Sequence, residues 1–318
     1  MAGIVGFAPG RDNPAPSNAR FRAARQRRAS ALLHARMKPT TALVIEGGGL
    51  RGAFSAGVAA ELAAAGVPAF EDIVAVSSGA PTAAYLATGR PEDGLAIWRR
   101  YTHGSQLIAV RNLSRGRPLM DIDRLIGVFE RVVPLDAARL ARSPTRLWIG
   151  VTDCRTGEGR RVLATPRNVF ELLRATMALP VANGRVIDVD GTLAIDGGVV
   201  APIPLDHALG LGRDRTLLVL TRPRTYRRRG GAISAWMIGW TYPRYPAVRR
   251  AMARHDRSAN AVLDRIDALE RTGAIHVIRP EAPLPLGRLS RDRGAIERAI
   301  AIGRATARDW LRAHPGWA

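Results

Sequence analysis

Two stretches of this chain combine residue types that could carry out acyl transfer: Glu46-Gly47-Gly48-Gly49-Leu50-Arg51-Gly52 and Val76-Ser77-Ser78-Gly79. Successive glycine N–H groups at a helix N-terminus form a nest for an anion, and the helix dipole adds roughly half a positive charge there. A serine on a sharp strand-to-helix turn is held exposed for attack on a carbonyl. Such a nucleophile needs a base, and the candidate is Asp196 in Ala194-Ile195-Asp196-Gly197-Gly198. It ends a short apolar strand, and Gly197 and Gly198 let the backbone turn tightly behind it. Singly, each feature has a plainer reading. Ser77 would serve as a helix N-cap, and Asp196 as a turn aspartate in an Asp-Gly pair.

The glycine stretch also spells Gly47-x-Gly49-x-x-Gly52, a formal match to the dinucleotide fingerprint. The acidic pair Glu71-Asp72 lies about the right distance downstream but precedes the second strand, whereas a ribose-binding acid belongs at that strand's C-terminal end. Ser77 stands there instead, and no Gly-Lys-[Ser/Thr] follows to make a P-loop. With all three motifs in order, the chain resembles the patatin-like phospholipases, which carry a G-G-G-x-[RK]-G loop, a G-x-S-x-G elbow and a D-G-[GA] motif. The resemblance runs from about Thr41 to the strand Thr216–Leu220. It implies a three-layer α/β/α fold with a mainly parallel sheet and a serine–aspartate dyad without cofactor or metal. Ser77 would attack the ester, Asp196 would take its proton, and Gly47, Gly48, Gly49, Arg51 and Gly52 would form the oxyanion loop.

Ala75 departs from the pattern, standing where the elbow has its first glycine; with Gly79 it would let strand and helix approach. Its added methyl puts the elbow geometry in question, which keeps open a catalytically impaired, anion- or nucleotide-binding regulator on the same fold. Ala53-Phe54-Ser55-Ala56-Gly57 repeats the A-x-S-x-G spelling, but Ser55 falls inside a helix and is expected to pack it on the sheet. Of the six histidines, only His207 lies near a motif, on a helix leading away from the site, where a packing role is expected. Arg51 would steady the loop, meet an anionic head group, or point into solvent. Arg174-Ala175-Thr176-Met177-Ala178-Leu179-Pro180 resembles a segment lying close to the family's dyad and is expected to shape the acyl pocket.

These residues need a scaffold of alternating strands and helices. Thr41–Ile45, Ile73–Ser77, Arg146–Thr152, Thr216–Thr221 and Ala274–Ile278 read as core strands. Hairpin signals fall at Arg155–Gly159 and at Asp190-Gly191, the latter presenting Asp196 one strand later. The 318 residues, 47% hydrophobic, fit one sizeable domain over residues 40–318, with the apolar pattern Ile296-Ala299-Ile300-Gly303 as a packed C-terminal helix. Residues 1–39 read as a basic, disordered tail.

The net charge of +21 is carried almost wholly by arginine and draws the chain toward polyanions. The arginines are not interleaved with stacking aromatics, so no specific nucleic-acid partner is expected. The segment Ala232–Pro243, which contains Trp236 and Trp240, follows an arginine run and reads as peripheral contact with an anionic membrane or as a lid over the site. With no secretory signal, no apolar span and a single cysteine, Cys154, the expectation is a cytoplasmic protein, peripheral at the membrane, acting on phospholipid or another acyl ester.

Overall fold

β-Branched and aliphatic residues dominate Thr41–Ile45 (β1), Asp72–Val76 (β2) and Arg215–Val219 (β7), and every second side chain points to the opposite face of the sheet. Leu43, Ile45, Ile73, Ala75, Leu217 and Val219 enter one buried cluster, while Val44, Val74 and Leu218 enter another on the far side. Strands buried on both faces require helices on both faces. A computed structural model describes residues 39–229 and 231–317, in which Thr40–Ala318 forms a compact unit. The expected tail lies almost wholly outside the described residues.

The remaining strands are Arg146–Asp153 (β3), Gly159–Leu163 (β4), Ile187–Val189 (β5), Thr192–Asp196 (β6) and His276–Ile278 (β8). Their order is β5-β6-β3-β2-β1-β7-β8, with β4 paired to β3 off this path. β3, β2, β1, β7 and β8 are parallel; β4, β5 and β6 join antiparallel through the two hairpins. The fold is therefore a mainly parallel α/β/α sandwich with an antiparallel edge.

The helices are Gly52–Ala64 (α1), Gly79–Ala87 (α2), Pro91–Tyr101 (α3), Ile122–Gly127 (α4), Ala137–Leu140 (α5), Val169–Thr176 (α6), Leu205–Gly210 (α7), Gly231–Thr241 (α8), Pro246–Arg271 (α9) and Arg293–Ala313 (α10). α10 buries Ile296, Ala299, Ile300 and Gly303, a stripe at helical spacing that packs on α1. α9 buries Val248, Met252, His255, Ala259 and Ile266 in the same manner. Among the described residues no helix is long and apolar enough to cross a membrane.

The N-terminal edge of the sheet is tied by a charge cluster. Asp72 is fully buried and accepts from Arg146 Nε and Nη2 (both 2.8 Å), Trp148 Nε1 (2.8 Å) and Arg213 Nε (2.7 Å). Burial alone would raise its pKa, but these donors hold the carboxyl below its ordinary value. This position also disposes of the ribose-binding role, because Asp72 sits at the opposite end of β2 from Ser77. Asp72→Ala is expected to cost about 2–4 kcal/mol, read by urea unfolding, since Arg213 and the indole N–H lose a buried partner while Arg146 recovers water.

Candidate active site

The strand β2 ends one residue before the sequence pattern suggests, at Val76, because Ser77 turns to φ +52°. A non-glycine residue there costs about 1 kcal/mol or more and persists only where its surroundings enforce it. Those surroundings are visible. A Cβ at Gly79 would lie 2.8 Å from Ile45 Cγ2 and 2.9 Å from the Glu46 carbonyl, so only glycine lets α2 start against the end of β1. Ala75, by contrast, is wholly buried in the strand with its methyl in the main core, and the turn forms without the usual first glycine.

The partner of Ser77 arrives across β3. Val76 pairs with Gly150 on one side of that strand, and Asp196 pairs with Val151 on the other. Ser77 Oγ and Asp196 Oδ2 meet at 2.8 Å. The other carboxylate oxygen, Oδ1, accepts from Gly198 N at 2.7 Å, and Thr152 Oγ1 donates to the Asp196 carbonyl at 2.9 Å. Asp196 is 1% exposed. Burial pushes its pKa up to about 6, against the opposing pull of the Ser77 and Gly198 hydrogen bonds and the Arg288 charge.

Gly150 and Thr176 complete this arrangement, and sequence reasoning assigned neither that part. Thr176 is fully buried; its Oγ1 donates to the Gly150 carbonyl at 2.6 Å and accepts from the Ser77 N–H at 2.8 Å. It therefore anchors the elbow's backbone rather than lining the pocket. Thr176→Val keeps the shape but orphans the buried Ser77 N–H. The expected result is a loss of about 1–3 kcal/mol in thermal unfolding and a fall in ester turnover, both restored by Thr176→Ser.

The glycine loop leaves β1 beside this pair. Gly47 N donates to the Pro202 carbonyl, Gly48 N to Ser78 Oγ and Leu50 N to the Arg288 carbonyl, each at 3.0 Å. Gly49 opens a 3-10 turn, Gly49–Arg51, so its N–H has no partner inside that turn. Among the described residues no acceptor is paired with it. Gly52 begins α1, where a Cβ would lie 2.9 Å from Ser78 Oγ. Arg51 is not a solvated side chain: it is 3% exposed, its Nε faces Thr221 Oγ1 at 3.4 Å, and burial draws its pKa down to about 10 against the counter-charge of Glu46. Glu46 in turn accepts from the Thr221 N–H and hydroxyl. Arg51 and Glu46 thus brace the loop from beneath.

A cavity of about 360 Å³ opens over these groups. Ser77 and Asp196 share its lining with Leu119, Met120, Ile122, Leu125 and Phe129, and with Met237 and Ile238 of α8. Ile238 and Tyr242 pack α8 against Ile195 and Val199, beside the Asp196 turn. Ser55 is buried inside α1, away from the cavity. His207 stacks edge-on against Trp148, whose indole reaches Asp72 at the opposite end of β2, so it cannot meet Ser77.

The site thus sets a strained serine, hydrogen-bonded to a buried carboxylate, beside a glycine loop on a mainly parallel α/β sheet. The model of the patatin-like phospholipase family matches residues 43–209, and the chain belongs to that family. A second match, to a domain of unknown function (DUF6363), covers residues 245–317. The uncharacterized protein YjjU of Escherichia coli (strain K12) is 29% identical over 187 residues, which cover 57% of this chain and 52% of YjjU. The chain thus spans about half the length of that curated relative. The crystal structure of VipD from Legionella pneumophila aligns with a TM-score of 0.46 at 14% identity, over 87% of this chain and 67% of VipD.

Proposed function

We propose that this chain is a serine carboxylic ester hydrolase of the phospholipase A or lysophospholipase type, working through Ser77 and Asp196. The observation that carries this reading is the 2.8 Å contact between Ser77 Oγ and Asp196 Oδ2 on the wall of an apolar cavity. Asp196 Oδ2 takes the hydroxyl proton as Oγ attacks the ester carbonyl, and the tetrahedral oxyanion forms against the Gly49 N–H. Collapse expels the alcohol, which leaves with the proton returned by Asp196. Water deprotonated by the same carboxylate then attacks the acyl-enzyme, and Asp196 returns that proton to Ser77 Oγ as the acid leaves. Gly48 N–H joins as a second oxyanion donor when Ser78 Oγ turns away from it.

Hydrolysis of a p-nitrophenyl acyl ester series tests this reading. Wild type turns over and Ser77→Ala does not, whereas Ser55→Ala retains activity. An inert wild type on every chain length would favour an anion-binding regulator instead.

The same reading requires access to lipid, and we assign that contact to α8. Trp236 and Trp240 are 74% and 84% exposed on a helix whose Met237 and Ile238 line the cavity, with Val181 and Leu289 exposed at its rim. Interfacial tryptophans beside a strongly cationic surface suit an anionic bilayer. Trp236→Ala/Trp240→Ala is expected to weaken co-sedimentation with phosphatidylglycerol vesicles by about tenfold. Unchanged sedimentation would remove α8 from that role.

A further inference from the structure

Two arginines share the cavity lining with the Ser77–Asp196 pair: Arg228 and Arg288. Both lie outside residues 43–209, the stretch matched by the patatin-like model. Arg228 is held in a built setting. Its N–H donates to Asn260 Oδ1 at 2.7 Å and its carbonyl accepts from Asn260 Nδ2 at 3.1 Å, so α9 grips its backbone from both sides. Its Nε faces Asp256 Oδ1 at 3.2 Å, and the side chain is 17% exposed. Arg288 comes from the loop between β8 and α10, and its carbonyl takes the Leu50 N–H of the glycine loop. It is half-buried, and among the described residues no carboxylate forms an ion pair with it.

The two charges feel each other and the reacting groups. Arg288 helps to pull down the pKa of Arg228, after burial, and its charge also opposes the rise at Asp196. Asp256 pairs with Arg228, and the charge of Asp196 lies within reach of Arg288, but the Asp196 oxygens are already held by Ser77 and Gly198, so Arg288 keeps its guanidinium without a direct carboxylate partner among the described residues. A planar guanidinium meets phosphate oxygens in a two-point fork, the pairing that best offsets its desolvation. Arg51, the sequence's own candidate for an anionic head group, is enclosed beneath the loop and does not line the cavity. In a glycerophospholipid the ester carbonyls lie only a few bonds from the phosphodiester. An ester at Ser77 with its acyl chain among Met120, Ile122 and Phe129 leaves the phosphate to seek a cation on the same wall.

We infer that Arg228 and Arg288 form a phosphate subsite of the active-site cavity, which selects phosphodiester-bearing lipid esters over neutral glycerides. This deepens the hydrolase reading and rests on it for the ester's position, but its test does not require turnover. The full chain is titrated with a short-chain dialkyl-ether phosphatidylglycerol, which cannot be hydrolysed, with the matching dialkylglycerol, and with inorganic phosphate. Wild type is expected to bind the ether phospholipid at least about tenfold more tightly than the dialkylglycerol. Arg288→Gln and Arg228→Gln abolish that preference, Arg288→Lys recovers part of it, and Arg312→Gln, at an exposed helix end, leaves it intact. Equal binding of the two lipids, or a preference that survives both glutamine variants, overturns the subsite. Inorganic phosphate binding as tightly as the ether lipid overturns the lipid assignment. Intact binding preference in a chain that hydrolyses no ester would instead count against the hydrolase reading and leave the subsite standing.

Discussion

Asp196→Asn is expected to lower p-nitrophenyl ester turnover by about 10²–10⁴-fold while raising the unfolding temperature. Asparagine preserves the size of the side chain and can still accept from Gly198 N, but it cannot take the Ser77 proton. The gain in stability follows from burial. Burial pushes the native carboxyl up to about 6 from its ordinary value of 3.8. The folded state therefore binds that proton more tightly than the unfolded chain does. The stability it contributes is full below pH 3.8 and is lost as pH rises through 6, a difference of roughly 3 kcal/mol. Asparagine never ionises and escapes this loss, so the variant's advantage in thermal unfolding should appear at pH 8 and vanish near pH 4. The same titration sets the pH profile of the wild type. kcat/KM should fall about tenfold per unit below pH 6 as Asp196 becomes protonated and ceases to act as a base. A variant as active as wild type, or a profile flat through pH 5, would contradict the assignment.

Gly49→Ala should lower kcat by about 10²–10³-fold, through geometry rather than charge. Gly49 has φ +59°, and a Cβ there would lie 2.6 Å from the Arg288 carbonyl oxygen and 3.1 Å from its Cα. These are backbone atoms of a loop that also accepts the Leu50 N–H, so they cannot simply rotate aside. The glycine loop must shift, and with it the Gly49 N–H, the oxyanion donor in the proposed mechanism. Gly66 separates the two causes. It too has positive φ, +76°, but nothing lies within 4 Å of its added Cβ. Gly66→Ala should cost only about 1 kcal/mol of stability, with kcat untouched. Equal kinetic losses in both variants would mean that the loop's position does not matter.

Local pattern was enough to place the main strands and both hairpins, because apolar β-branched runs and glycine-bearing turns such as Asp190-Gly191 are short-range signals. It also put Ser77 at the end of a strand and Ser55 inside a helix, where the structure has them. The antiparallel pairing of β6 with β3 is different in kind. It brings residues 119 positions apart into contact, and nothing in either strand's spelling names the other as its neighbour. Thr176 reads as a pocket residue in sequence, yet its hydroxyl is spent on the Ser77 and Gly150 backbones, a bond that exists only once α6 packs beneath the elbow. Sequence left Arg51 open between steadying the loop, meeting an anionic head group and facing solvent. Its burial depends on Glu46 and Thr221 meeting behind the loop. Arg228 and Arg288 were invisible among so many arginines until the fold carried them to the cavity.

The measurement closest to the central claim is mass-spectrometric mapping of a fluorophosphonate adduct on the folded chain. The account predicts a single stoichiometric adduct on the peptide containing Ser77, absent in Ser77→Ala, retained in Ser55→Ala and formed far more slowly in Asp196→Asn. A folded wild type that remains unlabelled, or an adduct on another residue, would contradict it.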